Sequence, residues 1–190
     1  MIDGNEATAR VIDALKELDI PYFLVGSYSS NYYGIPRATR DADFVAVLPS
    51  GVSQLAQILG DEFVLDPQAS FESVTGTVRD VFTVPAIPFK IEIFHLSKDP
   101  HDQSRFQRRL RVFDELINRD VLIPTVEDVL VTKLRWAFRA GRGKDTDDVR
   151  DVIAVQGEAV LDWDYIHRWA DEHGTGLLLN EIRASIPPID

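Results

Sequence analysis

Short β-prone segments, each bounded by glycine or proline, constrain the fold of this chain more than any other feature. The segments span residues 22–25, 43–48, 79–84 and 89–94. The residues that bound them are Gly26, Pro49, Pro85 and Pro88. Short apolar runs between such residues are typical of buried strands. The sequence therefore predicts a sheet in the first half of the chain.

Helical periodicity separates these strands and dominates the end of the chain. We expect Asn5 to cap a first helix, and Thr125 to cap a helix over residues 126–138. An extended pair is predicted around Asn118. Further helices are predicted over residues 27–33, 51–59, 146–155, 165–172 and 177–184. The pattern predicts an α+β (α/β-like) fold: a mixed β-sheet with flanking helices in residues 1–123, followed by a helical C-terminal part in residues 124–190 that packs on this core.

The composition narrows the class of protein. With 190 residues, 45% of them hydrophobic and 27% charged, the chain has the make-up of a globular domain. It contains no cysteine, which excludes a disulfide framework, a thiol nucleophile and a Cys-ligated zinc site. No stretch approaches ~18 consecutive apolar residues, and the first residues do not resemble a signal peptide. We therefore expect a soluble cytoplasmic protein with no membrane partner.

The charge is acidic overall but unevenly distributed. Asp and Glu number 31 against 20 Lys and Arg, which gives a net charge of -11. This balance disfavours a protein that coats a nucleic-acid backbone, because such binding needs many cationic contacts. Each of two basic clusters is either a solvated helix face or part of a pocket for a small polyanion such as a nucleoside triphosphate. The clusters are Arg105, Arg108, Arg109 and Arg111, and Lys133, Arg135, Arg139, Arg142 and Lys144.

Two aspartates lie at the start of the second predicted strand. Alternate residues of a strand point to the same face, so Asp41 and Asp43 present both carboxylates on one side, roughly 7 Å apart along the backbone. Such a pair suits Mg²⁺, which completes its octahedron with substrate phosphates and water. Gly26 and Ser27 follow the first strand and offer backbone and hydroxyl donors to a phosphate. These four residues predict a metal and phosphate site.

Glu92 is the candidate for a third carboxylate. It lies in the middle of the segment 89–94, on the same face as Lys90. A glutamate in an apolar strand needs a partner, because burying an unpaired charge is costly. Glu92 either completes the metal site or acts as a base, or it pairs with Lys90 or with an arginine of a neighbouring strand.

Lys133 lies within the apolar stripe of the helix predicted over residues 126–138. Its ammonium group either extends to solvent along the protein surface or points into a cleft. Asp147 and Asp148 lie near the start of the next predicted helix, where acidic residues also compensate the helix dipole. A Lys133 that extends to solvent would have no anionic partner, whereas a Lys133 that points into a cleft would face an anion.

Together these residues resemble a known family. Gly26-Ser27, a spacer, Arg37-Ala38-Thr39-Arg40-Asp41-Ala42-Asp43 and a later acid on a strand are similar to the DNA polymerase beta-like nucleotidyltransferase superfamily. Residues 124–134 and 142–148 are similar to the "P-x-x-E-D-L…K-L…R-x-K-D-x-x-D" segment of AbiEii-type nucleotidyltransferases, some of which are toxins of toxin–antitoxin pairs. The resemblance covers residues 20 to 155.

The resemblance implies a metal-dependent enzyme that transfers a nucleoside monophosphate from a nucleoside triphosphate to a protein, an RNA or a small molecule. Asp41, Asp43 and Glu92 would be the catalytic residues and would bind Mg²⁺ or Mn²⁺. Lys133 would contact the nucleotide phosphates, and an antitoxin protein would be a possible partner. The implied substrate-binding residues are Gly26, Ser27, Arg37, Thr39, Lys133, Lys144 and Asp145.

Two rival functions fit the same residues. One is a small-molecule (antibiotic-type) nucleotidyltransferase, which differs only in its acceptor. The other is a nucleotide-binding or antitoxin-binding module that has the same fold and no turnover. Release of pyrophosphate distinguishes an enzyme from such a module.

Overall fold

The computed structural model describes residues 2–187 and contains one mixed six-stranded sheet. The strands are β1 (Tyr22–Val25), β2 (Asp41–Ala46), β3 (Val64–Leu65), β4 (Ser70–Glu72), β5 (Thr77–Val84) and β6 (Phe89–His95). Their order is β1-β2-β6-β5-β3, with β4 also paired to β5. Strands β2 and β6 run parallel, whereas the other neighbours are antiparallel. The predicted mixed sheet is confirmed.

Helices flank this sheet and form the end of the chain. They are α1 (Gly4–Glu17), α2 (Gly26–Tyr33), α3 (Ser53–Leu59), α4 (Pro100–Arg108), α5 (Val126–Ala140), α6 (Gly143–Gln156), α7 (Trp163–His173) and α8 (Gly176–Ala184). A separate hairpin of β7 (Leu110–Asp114) and β8 (Arg119–Ile123) packs against β1. Within the described residues, every element after Pro124 is helical, as the sequence predicts.

Alternation of side chains divides the sheet into two faces. Phe44 of β2 and Ile91 of β6 point to one face and belong to the main core. That core also contains Ile12 of α1 and Leu55 of α3, all four being fully buried. The opposite face carries a smaller apolar cluster around Phe23, Val25 and Val45. It is therefore the face on which polar side chains of β2 and β6 can meet a cavity.

Helix caps explain one error and one omission in the sequence prediction. Asp3, not the predicted Asn5, caps α1: its Oδ1 accepts from the backbone N–H of Glu6 at 2.9 Å. Helix α4 was not predicted, although Asp99 caps it and Pro100 occupies its first turn. This Asp-Pro pair is a helix-start signal that the low hydropathy of the segment obscures.

The remaining differences are small. Strands β3 and β4 were not predicted, because each has only two or three residues. Strand β2 begins at Asp41, two residues earlier than predicted. The division between residues 123 and 124 stays a prediction. In residues 2–187, no helix combines the length and the apolar character needed to cross a membrane.

Candidate active site

Three carboxylates meet on the face of the sheet opposite the main core. Strands β2 and β6 are paired in parallel, and the register places Asp43 beside Glu92. Because Asp41 lies two residues before Asp43, it points to the same face. All three side chains line a cavity of about 280 Å³. The structure thus brings together the three residues predicted from the sequence to be catalytic.

Burial and the neighbouring acids change the protonation of Asp43. Burial, followed by the negative charges of Asp41 and Glu92, raises the pKa of Asp43 from 3.8 to about 7. The positive charges of Lys133 and Lys144 oppose this rise, but they do not cancel it. Asp43 therefore stands in a site with an excess of negative charge.

Gly26, at the start of α2, packs directly against Asp43. Its φ of +65° lies in the left-handed region that favours glycine. A Cβ atom at this position would lie 2.0 Å from Asp43 Oδ2. The glycine therefore allows α2 to begin immediately beside the carboxylate, which brings the N-terminus of the helix to the cavity.

Arg37 and Thr39 hold residues of the site from outside the cavity. Arg37 Nη2 donates to Ser27 Oγ at 3.1 Å. Thr39 Oγ1 donates to Asp41 Oδ1 at 2.7 Å. Both Arg37 and Thr39 line a second groove and not the cavity of the carboxylates. Their contacts position Ser27 and Asp41, and their direct contact with a substrate stays a prediction.

Glu92 has an arginine partner, as one alternative from the sequence anticipated. Arg79 Nη1 lies 3.0 Å from Glu92 Oε2, and Arg79 Nε donates to Ser70 Oγ at 3.0 Å. The side chains of Arg79 and Glu92 both remain partly exposed to the cavity. The other proposed partner, Lys90, is exposed. Arg79 therefore pairs with Glu92 without removing it from the cavity.

Lys133 is buried and does not extend to solvent. It is 7% exposed, and its Nζ lies 2.9 Å from Asp145 Oδ1 and 2.7 Å from Asp148 Oδ2. Asp145 also pairs with Arg142 at 3.0 Å. Lys133, Asp145 and Arg142 all line the cavity. Asp145 therefore orients Lys133, and it lines the cavity in which the resemblance implies a substrate-binding role for it.

The cavity contains further residues that the sequence did not single out as site residues. Helix α4 contributes Asp102 and Arg105, and helix α5 contributes Thr132 and Trp136. The ring of Trp136 lies 5.0 Å from the guanidinium carbon of Arg142. Arg105 belongs to the first basic cluster identified in the sequence. Because α4 was not predicted, the sequence analysis could not place Arg105 at the cavity.

The site does not contain a complete protein cage for a metal. Among residues 2–187, no three His, Cys, Asp or Glu side chains are arranged to hold one ion. Mg²⁺ usually takes only one or two carboxylates from a protein and completes its shell with substrate phosphates and water. Asp41 and Asp43 have the hard oxygen donors for such binding, and their repulsion would be relieved by a cation.

The fold is that of the nucleotidyltransferases. No protein-family model and no curated protein matches the sequence. Among solved structures, the antibiotic-resistance factor ANT(2'')-Ia is similar with a TM-score of 0.61 and 11% identity, over 96% of this chain and 98% of that one. An antigenic nucleotidyltransferase-like protein from Paracoccidioides brasiliensis is similar with a TM-score of 0.57 and 20% identity, over 98% and 95%. The lincomycin-bound lincosamide antibiotic adenylyltransferase LnuA gives a TM-score of 0.51 and 12% identity, over 81% and 98%.

Proposed function

We propose that this chain is a metal-dependent nucleotidyltransferase that moves a nucleoside monophosphate from a nucleoside triphosphate to an acceptor. The observation that carries the proposal is the meeting of Asp41, Asp43 and Glu92 in one cavity beside the start of α2. A carboxylate whose pKa is raised by burial and by neighbouring acids, as that of Asp43 is, and that lies in a concave site is typical of a functional centre. The nucleotidyltransferase fold gives this cluster its chemical interpretation.

Asp41 and Asp43 would hold Mg²⁺ or Mn²⁺, and substrate phosphates and water would complete the coordination shell, which leaves Glu92 free to act as a base. When bound, such an ion neutralises the phosphate charge that develops during an in-line displacement. Thr39 fixes the orientation of Asp41 through its hydrogen bond to Oδ1. Gly26 leaves the space that Asp43 Oδ2 occupies. The chain thus holds both carboxylates in place before a substrate arrives.

The nucleotide phosphates would bind between α2 and the C-terminal helices. Ser27 Oγ accepts a hydrogen bond from Arg37, which leaves its own hydroxyl hydrogen to donate to a phosphate oxygen. Lys133 has three N–H donors and directs two of them to Asp145 and Asp148, so the third is available. The partial positive charge at the start of α2 favours an anion at the same place.

The reaction then follows from these positions. The acceptor hydroxyl oxygen attacks the α-phosphorus, the bond from that phosphorus to the bridging oxygen breaks, and pyrophosphate leaves. Glu92 receives the hydroxyl proton on Oε1, because Arg79 occupies Oε2. Lys144, exposed at the cavity, adds positive charge near the departing pyrophosphate.

A small-molecule acceptor is the second candidate that a specific observation favours. The structural similarity covers 98% of ANT(2'')-Ia, an antibiotic-resistance factor, and 98% of LnuA, a lincosamide antibiotic adenylyltransferase. This chain therefore matches nearly the whole of two proteins that act on small molecules. A protein or RNA acceptor, membership of the AbiEii-type group, a toxin–antitoxin role and an antitoxin partner are supported by the sequence resemblance alone. A nucleotide-binding module without turnover remains the rival from another class.

Incubation with each radiolabelled nucleoside triphosphate tests the proposal. The reaction contains Mg²⁺ and, separately, the RNA, protein and metabolite fractions of a cell extract. We expect label from the α-phosphate to enter one fraction, with release of pyrophosphate. Tight nucleotide binding without release of pyrophosphate in any fraction would favour the module instead.

A further inference from the structure

A buried arginine lines the end of the cavity that α4 closes. Arg105 is 5% exposed, and it lines the cavity together with Asp102 and Thr132. Its guanidinium carbon lies 5.2 Å from the centre of the Phe23 ring. The guanidinium group of Arg105 thus packs against the apolar cluster around Phe23. The residue also lines the cavity.

The hydrogen-bonding capacity of Arg105 is largely unused. A guanidinium group has five N–H donors. Nη1 donates to Thr132 Oγ1 at 3.3 Å. Nε lies 2.9 Å from Asp102 Oδ1, but the direction of its N–H does not give a hydrogen bond. A buried donor without an acceptor costs free energy, so this arrangement favours a ligand that supplies acceptor atoms.

The charges at this end of the cavity are paired, and the N–H donors of Arg105 that lack acceptors favour an anionic ligand over a cationic one. Asp102 faces Arg105 and also accepts a hydrogen bond from Ser97. Glu92 faces Arg79. An ammonium group would therefore meet carboxylates that already have guanidinium partners. A phosphate or carboxylate group would meet the unused donors of Arg105, and the hydroxyl of Thr132 can donate to it as well.

We propose that Arg105 and Thr132 form an oxyanion subsite that binds a phosphate or carboxylate group of the acceptor. The identification of the ligand as the acceptor rests on the proposed function, whereas the oxyanion subsite itself does not. Arg105 lies on α4, whereas Thr132 lies next to Lys133 on α5, so the subsite adjoins the place assigned to the nucleotide phosphates. The two sites share no residue, and nucleotide and oxyanion should therefore bind at the same time.

Calorimetric titration with inorganic phosphate, and separately with acetate, tests this subsite. Each titration is made on the full chain without nucleotide, and again with Mg²⁺ and a saturating non-hydrolysable triphosphate. We expect phosphate or acetate to bind in both conditions, and the stronger of the two identifies the oxyanion. Phosphate and acetate that fail to bind the free protein, or that only compete with the triphosphate, would overturn the proposal.

Three variants assign the binding to Arg105. Arg105→Met should weaken binding of the oxyanion by at least about 10-fold, the effect of losing a charge-assisted hydrogen bond. Asp102→Asn should strengthen it, because Arg105 then loses the carboxylate that competes for its charge. Arg139→Met, exposed on α5, is the control and should leave it unchanged.

The two variants are expected to change the affinity for the oxyanion in opposite directions. The test therefore stays decisive through Asp102→Asn if Arg105→Met does not fold. Asp102→Asn retains an acceptor for Ser97 and keeps the buried arginine, and a purely structural Arg105 would give no gain in affinity there. Unchanged or weaker binding in folded Asp102→Asn would overturn the proposal. Arg105-dependent binding in a protein that binds no nucleotide would leave the subsite standing and remove the proposed function.

Discussion

Lys133 and Asp148 join helices α5 and α6 through an ion pair in which Nζ lies 2.7 Å from Oδ2. Asp148 also accepts two hydrogen bonds of 3.1 Å from Arg37. Although burial opposes it, the hydrogen bond from Arg37 and the charge of Lys133 lower the pKa of Asp148. Arg37 also donates a hydrogen bond to Ser27, which is assigned to the nucleotide phosphates. The ion pair of Lys133 and Asp148 therefore connects the packing of the C-terminal helices to the proposed phosphate-binding residues.

We therefore expect Lys133→Met to destabilise the protein. Its removal leaves Asp145 and Asp148 buried with fewer partners. Breaking a buried ion pair costs about 3–5 kcal/mol, and the low end applies because Arg142 and Arg37 remain. Denaturant unfolding measures this loss, and calorimetry should show weaker triphosphate binding in the same variant.

Arg139→Met on the same helix is the matched control. Arg139 is exposed, so its replacement should change the free energy of unfolding by less than about 0.5 kcal/mol. Equal stability of the two variants would contradict the buried ion pair. Equal triphosphate affinity would remove the phosphate-binding role of Lys133.

Gly26→Ala should damage both stability and function. The left-handed φ and the 2.0 Å approach to Asp43 Oδ2 leave no room for a methyl group. We expect a loss of about 1–3 kcal/mol together with displacement of the carboxylate. Gly143→Ala is the comparison, because nothing lies within 4 Å of its Cβ position. Similar losses of stability in both variants would refute this account of Gly26.

The sequence predicted the placement of Asp41 and Asp43 well, because strand periodicity alone puts both on one face. Asp41 and Asp43 share a face in any strand, and only the pairing with Glu92 depended on the fold. The partners of Lys133 could not be predicted in the same way. Asp148 lies on another helix, so its contact depends on how α5 and α6 pack. Local sequence patterns do not show which residues of two different helices will contact each other.

The far end of the cavity escaped prediction for a related reason. Arg105 was recognised only as part of a basic cluster, whereas Arg108 from the same cluster pairs with Asp128 outside the cavity. Charge density does not tell which arginine faces a cavity and which faces a neighbouring helix. The Asp99-Pro100 cap would have located α4 and separated the two.

Glu92→Gln should abolish turnover and leave nucleotide affinity nearly unchanged. The amide preserves the shape and an acceptor for Arg79, but it cannot take up the acceptor proton. Loss of a general base lowers the rate by about 100-fold or more. Steady-state release of pyrophosphate gives kcat, and calorimetry gives the nucleotide Kd. Unchanged kcat in this variant would show that Glu92 is only the structural partner of Arg79 and not a base.

Without a divalent cation, the contribution of Asp43 to stability should fall as the pH rises from about 4 to about 7, whereas the lowered pKa values of His101 and His173 act in the opposite direction. Asp43 titrates near 7 when folded and near its ordinary value of 3.8 when unfolded, so the folded protein binds more protons in this interval. Comparing urea unfolding of the wild type with Asp43→Asn across this range isolates the contribution. An identical pH dependence in the two proteins would contradict the raised pKa.

Metal-dependent release of pyrophosphate is the most direct measurement of the central claim. The assay compares the wild type with the double variant Asp41→Asn, Asp43→Asn, using Asp61→Asn as an exposed control. The account predicts that Mg²⁺ or Mn²⁺ supports release by the wild type and the control in the presence of a labelled acceptor fraction, and that a chelator stops it. The double variant should match the reaction without protein. Full activity of that variant, or activity unaffected by the chelator, would contradict the account.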